Sequence, residues 1–562
     1  MIIGIIIILV PLVIYLSAAF SVARKNIQNP DDFFVAFKKV GVTAFSSSSV
    51  AYNFQVSTIY PFLLWGVSNI YLIPTVNTLC VGLGILLFWV CYPKYKYFIG
   101  KDITLHGILG EKYGNVVRVI ASYMTITAFL GFAISETYFG SKVMLSFIDS
   151  KNIAYIIICG VLILVYVYIA YGGQVSSIRT DQLQLIISYI GVFGLMLYFL
   201  YLVIINVNEI PVILSWGLLV LSIYIIIVFI LRKFRFIKFS EDNDAINNLI
   251  NRSLNALVVI TFSLLLICSV YVFLTKKQVV DPKPFFNLEG FGICGLLSLT
   301  FLPLSFQFVD LSNWQRLLSV KSDDELDDTG LEKNIKRGLL TYAFESPFTW
   351  IIFIFFGLLT ITALPHFTFQ DLLIDIPKRL INSTNPIQEI LGYVFILSIV
   401  SIMLSTIDSF LMGIIFTFVY DSYPKTRMML DRKDEQLKIQ NHRSIINTGK
   451  LFGIIAIISG VVLFVVFDKT ILNGGEMFIN LLLSFYAAQL GFLPHILGIL
   501  FLKRHPSTPW AIASMLVGSI SGIGMGIFAV VAKPEWAWYP ILICLSLSFG
   551  IYFLGLLFKK KE

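Results

Sequence analysis

The chain has 562 residues, of which 57% are hydrophobic, 15% aromatic and only 13% charged; a soluble domain carries about 25% charged residues. A water-soluble fold is excluded, and so is disorder, which requires low hydrophobicity and high charge. The net charge of +8 takes its meaning from where the cations sit.

Unbroken apolar runs of ~20 residues, where a membrane barrel would show alternating ~10-residue strands, predict an all-α polytopic membrane protein. About fifteen transmembrane helices are expected, over residues 2–22, 41–64, 70–92, 117–148, 152–171, 182–206, 210–231, 256–275, 287–309, 341–364, 387–420, 450–467, 473–502, 507–531 and 536–558. The first has no basic n-region and no clear small-residue cleavage site, so it is read as an uncleaved span rather than a signal peptide. With the N-terminus outside, the inside loops are 23–40, 93–118, 172–181, 232–255, 310–340, 421–450, 503–506 and 559–562. They hold most of the 41 Lys and Arg residues. That bias predicts a cytoplasmic C-terminus and an integral protein of the cell (inner) membrane. The positive charge is thus a topology signal, and no nucleic-acid partner is expected.

The six cysteines are scattered through apolar runs without a CxxC pair and read as small buried hydrophobes. The five histidines are equally scattered, so no metal centre beyond a coupling ion is expected. No phosphate-binding loop, dinucleotide fingerprint or nucleophile elbow occurs. The chain is therefore not expected to be an enzyme or to carry a cofactor, and whatever it binds it binds inside the helix bundle.

Polar residues at membrane depth are costly and face a cavity or a partner. In chain order, the second span opens Thr43-Ala44-Phe45-Ser46-Ser47-Ser48-Ser49 and continues Val50-Ala51-Tyr52-Asn53-Phe54-Gln55. Serines compete for backbone hydrogen bonds, so this run reads either as close packing of small residues or as a broken helix whose freed carbonyls bind a cation. Glu136 puts a carboxylate into the fourth span, where it snorkels, pairs, or meets a substrate or proton. The ninth span holds Pro303 before Leu304-Ser305-Phe306-Gln307. Proline frees a carbonyl, and two interrupted helices in separate halves point to a midplane substrate site between inverted repeats. In the eleventh span, adjacent Ser405 and Thr406 offer two hydroxyl oxygens to a hard cation, or bond back to the preceding turn.

Five stretches, in order along residues ~30–500, resemble the sodium:solute symporter family. They are Asp32-Phe33-Phe34-Val35-Ala36; Thr104-Leu105 with Lys112-Tyr113-Gly114; Tyr171-Gly172-Gly173-Gln174-Val175 with Thr180-Asp181 and Gln184; Gln315-Arg316 with Lys321-Ser322; and Leu404-Ser405-Thr406-Ile407-Asp408-Ser409 with Asp421-Ser422-Tyr423. The resemblance implies a leucine-transporter-type fold of 5+5 inverted repeats. Within a single transporter domain, residues 2–22 are then an extra N-terminal span, 41–206 the first repeat and 210–275 an extra hairpin. Residues 287–502 form the second repeat, and 507–558 two C-terminal spans.

The resemblance further implies a sodium site between core helices 1 and 8, with hydroxyls from Ser405 and Thr406 and a carbonyl from Ile402. Two more carbonyls come from core helix 1. Register on Gly66 gives Ser47 and Val50, the preferred choice; register on Asp32 gives Ala51 and Phe54. Asp181 matches an acidic residue on the sodium exit path. Asn53, Gln55, Pro303, Phe306 and Gln307 are expected to line the substrate site. The function implied is sodium-coupled import of a small organic solute by alternating access, with sodium, solute and lipid bilayer as partners. The alternatives are a proton-coupled symporter of the same fold, with Glu136 or Asp181 titrating, and a non-transporting solute sensor.

Overall fold

A computed structural model describes the chain apart from residues 1, 100–103, 149, 237–259, 262, 282, 284, 322–327, 365–370, 431–434, 471–474, 533–535 and 559–562. The helices run in order α1 (Ile2–Asn26), α2 (Pro30–Val35), α3 (Val42–Asn53), α4 (Val56–Val67), α5 (Leu72–Ile99), α6 (Leu105–Tyr113), α7 (Asn115–Met144), α8 (Lys151–Asn206) and α9 (Val212–Phe236). They continue with α10 (Ser263–Thr275), α11 (Gly292–Phe306), α12 (Leu311–Ser319), α13 (Asp328–Ala363), α14 (Leu372–Ile381) and α15 (Pro386–Thr417). A short π-helix, Phe418–Ser422, leads to α16 (Pro424–Leu430), α17 (Glu435–Thr470), α18 (Gly475–Leu490), α19 (Leu493–Phe501), α20 (Thr508–Val531) and α21 (Tyr539–Leu557).

Ten helical stretches of the described residues are long and apolar enough to cross a membrane. Shorter apolar helices lie at Leu9–Ser21, Val56–Val67, Val212–Tyr224 and Ser263–Thr275. The longest stretch, α8, has 56 residues and would reach about 84 Å if straight, against a hydrocarbon core of about 30 Å. It turns instead at Gly173 (φ 55°, ψ −148°). A Cβ there would lie 2.1 Å from the Phe33 carbonyl oxygen, so only glycine fits both the left-handed φ and the contact with α2. Two helices therefore meet at Gly173, where separate spans over 152–171 and 182–206 were expected.

Caps set the other boundaries. Asn29 caps α2 by accepting the Asp32 N–H, with Pro30 at the first helical position. Thr104 caps α6 through the Gly107 N–H at 2.8 Å, and Asn385 caps α15, again followed by proline. The expected hairpin 210–275 is pinned at its outer end by a parallel pairing of Glu209–Pro211 with Lys277–Val279. There the Asp281 carboxylate also accepts the Ile213 N–H at 3.1 Å. Helix α9 leans on α13 through Tyr224 and Phe348, while Trp216, Val220, Ile260, Ile267 and Leu274 are exposed on the outer face. The inside loop expected between its two helices lies largely outside the described residues, as does the tail 559–562.

Each half opens with a broken helix, α3/α4 in the first and α11/α12 in the second. The second break is not where the sequence suggested. Pro303 sits inside α11, packed so closely on α5 that a Cβ on Gly84 would come within 2.4 Å of the Pro303 carbonyl. The chain leaves the helix four residues later, between Phe306 and Leu311. Residues 311–319, expected to begin an inside loop, form the fully buried half-helix α12.

Candidate functional site

Two residues make the first break. Phe54 (φ −87°, ψ 82°) and Gln55 (φ −104°, ψ 138°) leave helical geometry, which strips the first N–H groups of α4 of helical acceptors. Glu136 of α7 supplies them. One carboxylate oxygen accepts the Val56 N–H and the other the Ser57 N–H, both at 2.9 Å, and the Ser57 hydroxyl also bonds to it. Glu136 is fully buried and neither snorkels nor has a basic partner among the described residues. A carboxylate is favoured at a helix N-terminus by the positive end of the dipole. Asp310 plays the matching part at the second break, capping α12 through the Ser312 N–H at 2.9 Å while accepting the Tyr52 hydroxyl at 3.1 Å.

Beside the breaks lies an aromatic cluster. Phe306 meets Tyr486 of α18 with ring centroids 4.9 Å apart and Phe132 of α7 at 6.0 Å, and Phe132 meets Tyr486 at 4.4 Å. The Tyr486 hydroxyl reaches the Gln55 amide oxygen at 3.4 Å. One turn along α18, Gln489 donates to the Val309 carbonyl inside the second break at 2.7 Å. Of the residues expected to line the substrate site, Phe306 and Gln55 therefore come together. The others do not join them. Asn53 donates to Ser346 of α13 and its carbonyl accepts the Trp350 indole at 2.7 Å. Gln307 accepts from Asn313 across the second break at 2.8 Å, and Pro303 faces α5.

Of the ion-ligand candidates, Thr406 and Ile402 lie beside the first break. The Thr406 hydroxyl bonds back to the Ile402 carbonyl of the preceding turn at 3.0 Å, the second of the two fates open to it, and also approaches the Phe54 carbonyl across the break at 3.5 Å. The Val50 carbonyl is taken by the Phe54 N–H at 3.0 Å, within the helix. Ser47 is buried in α3. The Phe54 carbonyl belongs to the register on Asp32, whose other member, the Ala51 carbonyl, also accepts the Phe54 N–H, at 3.2 Å.

Ser405 turns away from that group and donates to Asp181 at 2.6 Å. Asp181, inside α8 and not a helix cap, is paired at 3.3 Å with the guanidinium of Arg316 from α12. Ser48 donates to Asp181 and accepts from Arg316 at 2.9 Å. Arg316 also donates to Ser409 at 2.6 Å and lies 4.6 Å over the Tyr52 ring. Next to it, Asp408 accepts the hydroxyls of Tyr168 (2.6 Å), Ser177 (3.0 Å), Ser409 (3.2 Å) and Thr180 (3.3 Å). A second buried carboxylate thus lies within electrostatic range of the Asp181–Arg316 pair, with hydroxyls as its own partners. Sequence reasoning quoted Arg316 and Asp408 within motifs but gave neither a role. It counted Arg316 among loop cations because basic residues follow it.

Comparison with known proteins now bears on the fold. No family model matches the chain, and no curated protein matches it. Among solved structures, it is similar over 100% of its length, and over 98% of the other chain, to a Na+-coupled sialic acid symporter in a substrate-bound outward-open state, with TM-score 0.63 and 16% identity. The chain has a leucine-transporter-type fold. At that identity the likeness is one of architecture. Further similarities are to Mhp1, a nucleobase-cation-symport-1 family transporter (TM-score 0.45, 11% identity, 94% of this chain and 95% of that one) and to a manganese transporter of Eremococcus coleocola (TM-score 0.40, 12% identity, 97% and 94%).

Proposed function

We propose that this protein is a sodium-coupled symporter that imports a small organic solute by alternating access, with its N-terminus outside the cell membrane. The observation that carries the reading is the Thr406 hydroxyl, which bonds back to the Ile402 carbonyl of its own helix and also approaches the Phe54 carbonyl of the first break. A monovalent hard cation needs several neutral oxygens. These come from helices of different halves, so an ion held there would tie the first broken helix to α15. The energy suffices: about 2.3 kcal/mol per charge per 100 mV, with about 1.4 kcal/mol for a tenfold gradient, supports roughly 500-fold accumulation per ion.

The test needs no solute. Sodium chloride should raise the melting temperature of the detergent-solubilised protein more than potassium chloride at equal ionic strength, and Thr406→Ala should remove the difference. Equal effects of the two salts on the unaltered chain would refute the reading. Proton coupling is a second reading, favoured by a second buried carboxylate, Asp408, beside the Asp181–Arg316 pair. It requires a melting temperature that responds to pH through Asp408→Asn and not to sodium.

A further inference from the structure

We propose that the solute is an organic cation, an ammonium compound held against Phe132, Phe306 and Tyr486 with the Glu136 carboxylate as counter-charge. This rests on the reading of the chain as a solute symporter and narrows its substrate class.

The N-terminus of a half-helix at the membrane midplane is a ready anion site, since its free N–H groups and dipole attract negative charge. In this chain that site is filled from within. Both oxygens of Glu136 are engaged by α4, so an acidic solute arriving at the first break would find its donors occupied and a like charge in their place. The site therefore selects against anions.

The surroundings of Glu136 supply what a cation needs. Phe132 and Glu136 are one turn apart on α7 and so share a face. The Phe132 ring is packed with Phe306 and Tyr486, which come from α11 and α18, and Tyr486 lies within electrostatic range of Glu136. Aromatic faces attract a desolvated cation through their quadrupoles. The donors that meet Glu136 are two amides and a hydroxyl, all uncharged. Part of the carboxylate charge is thus left for a mobile partner, in a medium where unpaired charge is costly.

A separate observation points the same way. The amide oxygen of Gln489, fully buried beside the second break, has no donor, although its nitrogen is committed to the Val309 carbonyl. An orphaned acceptor one turn from Tyr486 calls for a ligand that brings hydrogen-bond donors, as an ammonium or a hydroxylated ammonium does.

The experiment compares isosteres of different charge by thermal shift on the full detergent-solubilised chain, in saturating sodium chloride. One set is cyclohexylammonium, cyclohexanol and cyclohexanecarboxylate; the other is choline, 3,3-dimethylbutan-1-ol and 3,3-dimethylbutanoate. The expected result is stabilisation by at least one of the two cations, exceeding that by its alcohol, with none from the carboxylates. Glu136→Gln should weaken the effective cation by about tenfold or more, the loss of one charge-assisted contact, and bring it level with its alcohol. Tyr486→Leu, which leaves the α4 cap untouched, should weaken it also, so the inference stays testable if the Glu136 variant does not fold. No shift with either cation, or an equal or larger shift with an alcohol or carboxylate, overturns the assignment. The sodium-only shift is read in the same series. A cation effect without a sodium effect removes the coupling reading and leaves this one standing, and a sodium effect without a cation effect does the reverse.

Discussion

Arg316 and Asp181, 135 residues apart in sequence, face each other at 3.3 Å with both side chains withdrawn from solvent. Breaking a buried pair from one side costs about 3–5 kcal/mol because it strands the other charge. Arg316→Gln and Asp181→Asn should each lower the melting temperature sharply. The double variant should be less damaged than the two losses added together. Additive losses would show that the two residues act independently.

The two hydroxyls of the α15 motif should behave differently. Thr406→Ala removes an oxygen that faces the Phe54 carbonyl and should raise the sodium concentration needed for half-maximal stabilisation. Ser405→Ala removes a donor to Asp181 and should in addition lower stability in the absence of sodium, by about 1.5–3 kcal/mol for a bond to a charged group. Sodium titrations of melting temperature on both variants check this; an unchanged half-saturation for both would contradict it.

Gly173 turns α8 where the Phe33 carbonyl leaves no room for a Cβ. Gly173→Ala combines an unfavourable φ with a clash against backbone, and should cost more than about 1–3 kcal/mol of local strain. Its measure is the yield of monodisperse protein on size exclusion. Gly160→Ala, at a position with open space around it, is the control and should express normally.

Asp421 is the hub of a second buried knot. It accepts from Thr104 and Arg118 at 2.7 Å each and pairs with His106 at 2.9 Å. This joins the starts of α6 and α7 to the π-helix that follows α15. Asp421→Asn keeps the shape but not the charge and should destabilise by about 3–5 kcal/mol, since Arg118 is left without its counter-ion. A melting temperature within a degree or two of the unaltered chain would argue against this role.

The architecture was legible because bilayer thickness dictates how long an apolar run must be, and that is a local property of sequence. The first break was legible only in part: the four serines that suggested it stay helical inside α3, and the chain opens at Phe54 and Gln55. The second break was misplaced because proline is the more visible signal, yet Pro303 is tolerated inside α11 and the helix ends where Asp310 and Gln489 satisfy the opened backbone. Such partners are chosen by packing and leave no mark at the break itself. Thr406 was found because its neighbour Ser405 advertised it. Which core-helix-1 carbonyls would join it depends on a register that two sequence anchors gave differently; the Phe54 carbonyl, at 3.5 Å, belongs to the Asp32 choice. Arg316 was hidden by its company, since a cation near Lys321 and Lys336 looks like a loop residue unless its distant carboxylate is known.

The cap on α4 also has a mechanical meaning. Through Val56 and Ser57, α4 is fastened to α7, whereas α3 is fastened through Ser48 to Arg316 of α12 and Asp181 of α8. The two halves of the first broken helix thus have separate polar anchors, although both also pack against α13, and Phe54 and Gln55 lie between them. The Phe54 carbonyl, which approaches Thr406, sits at that opening. Its direction turns with the angle between α3 and α4, so whatever binds the carbonyl senses and sets how far the helix is bent.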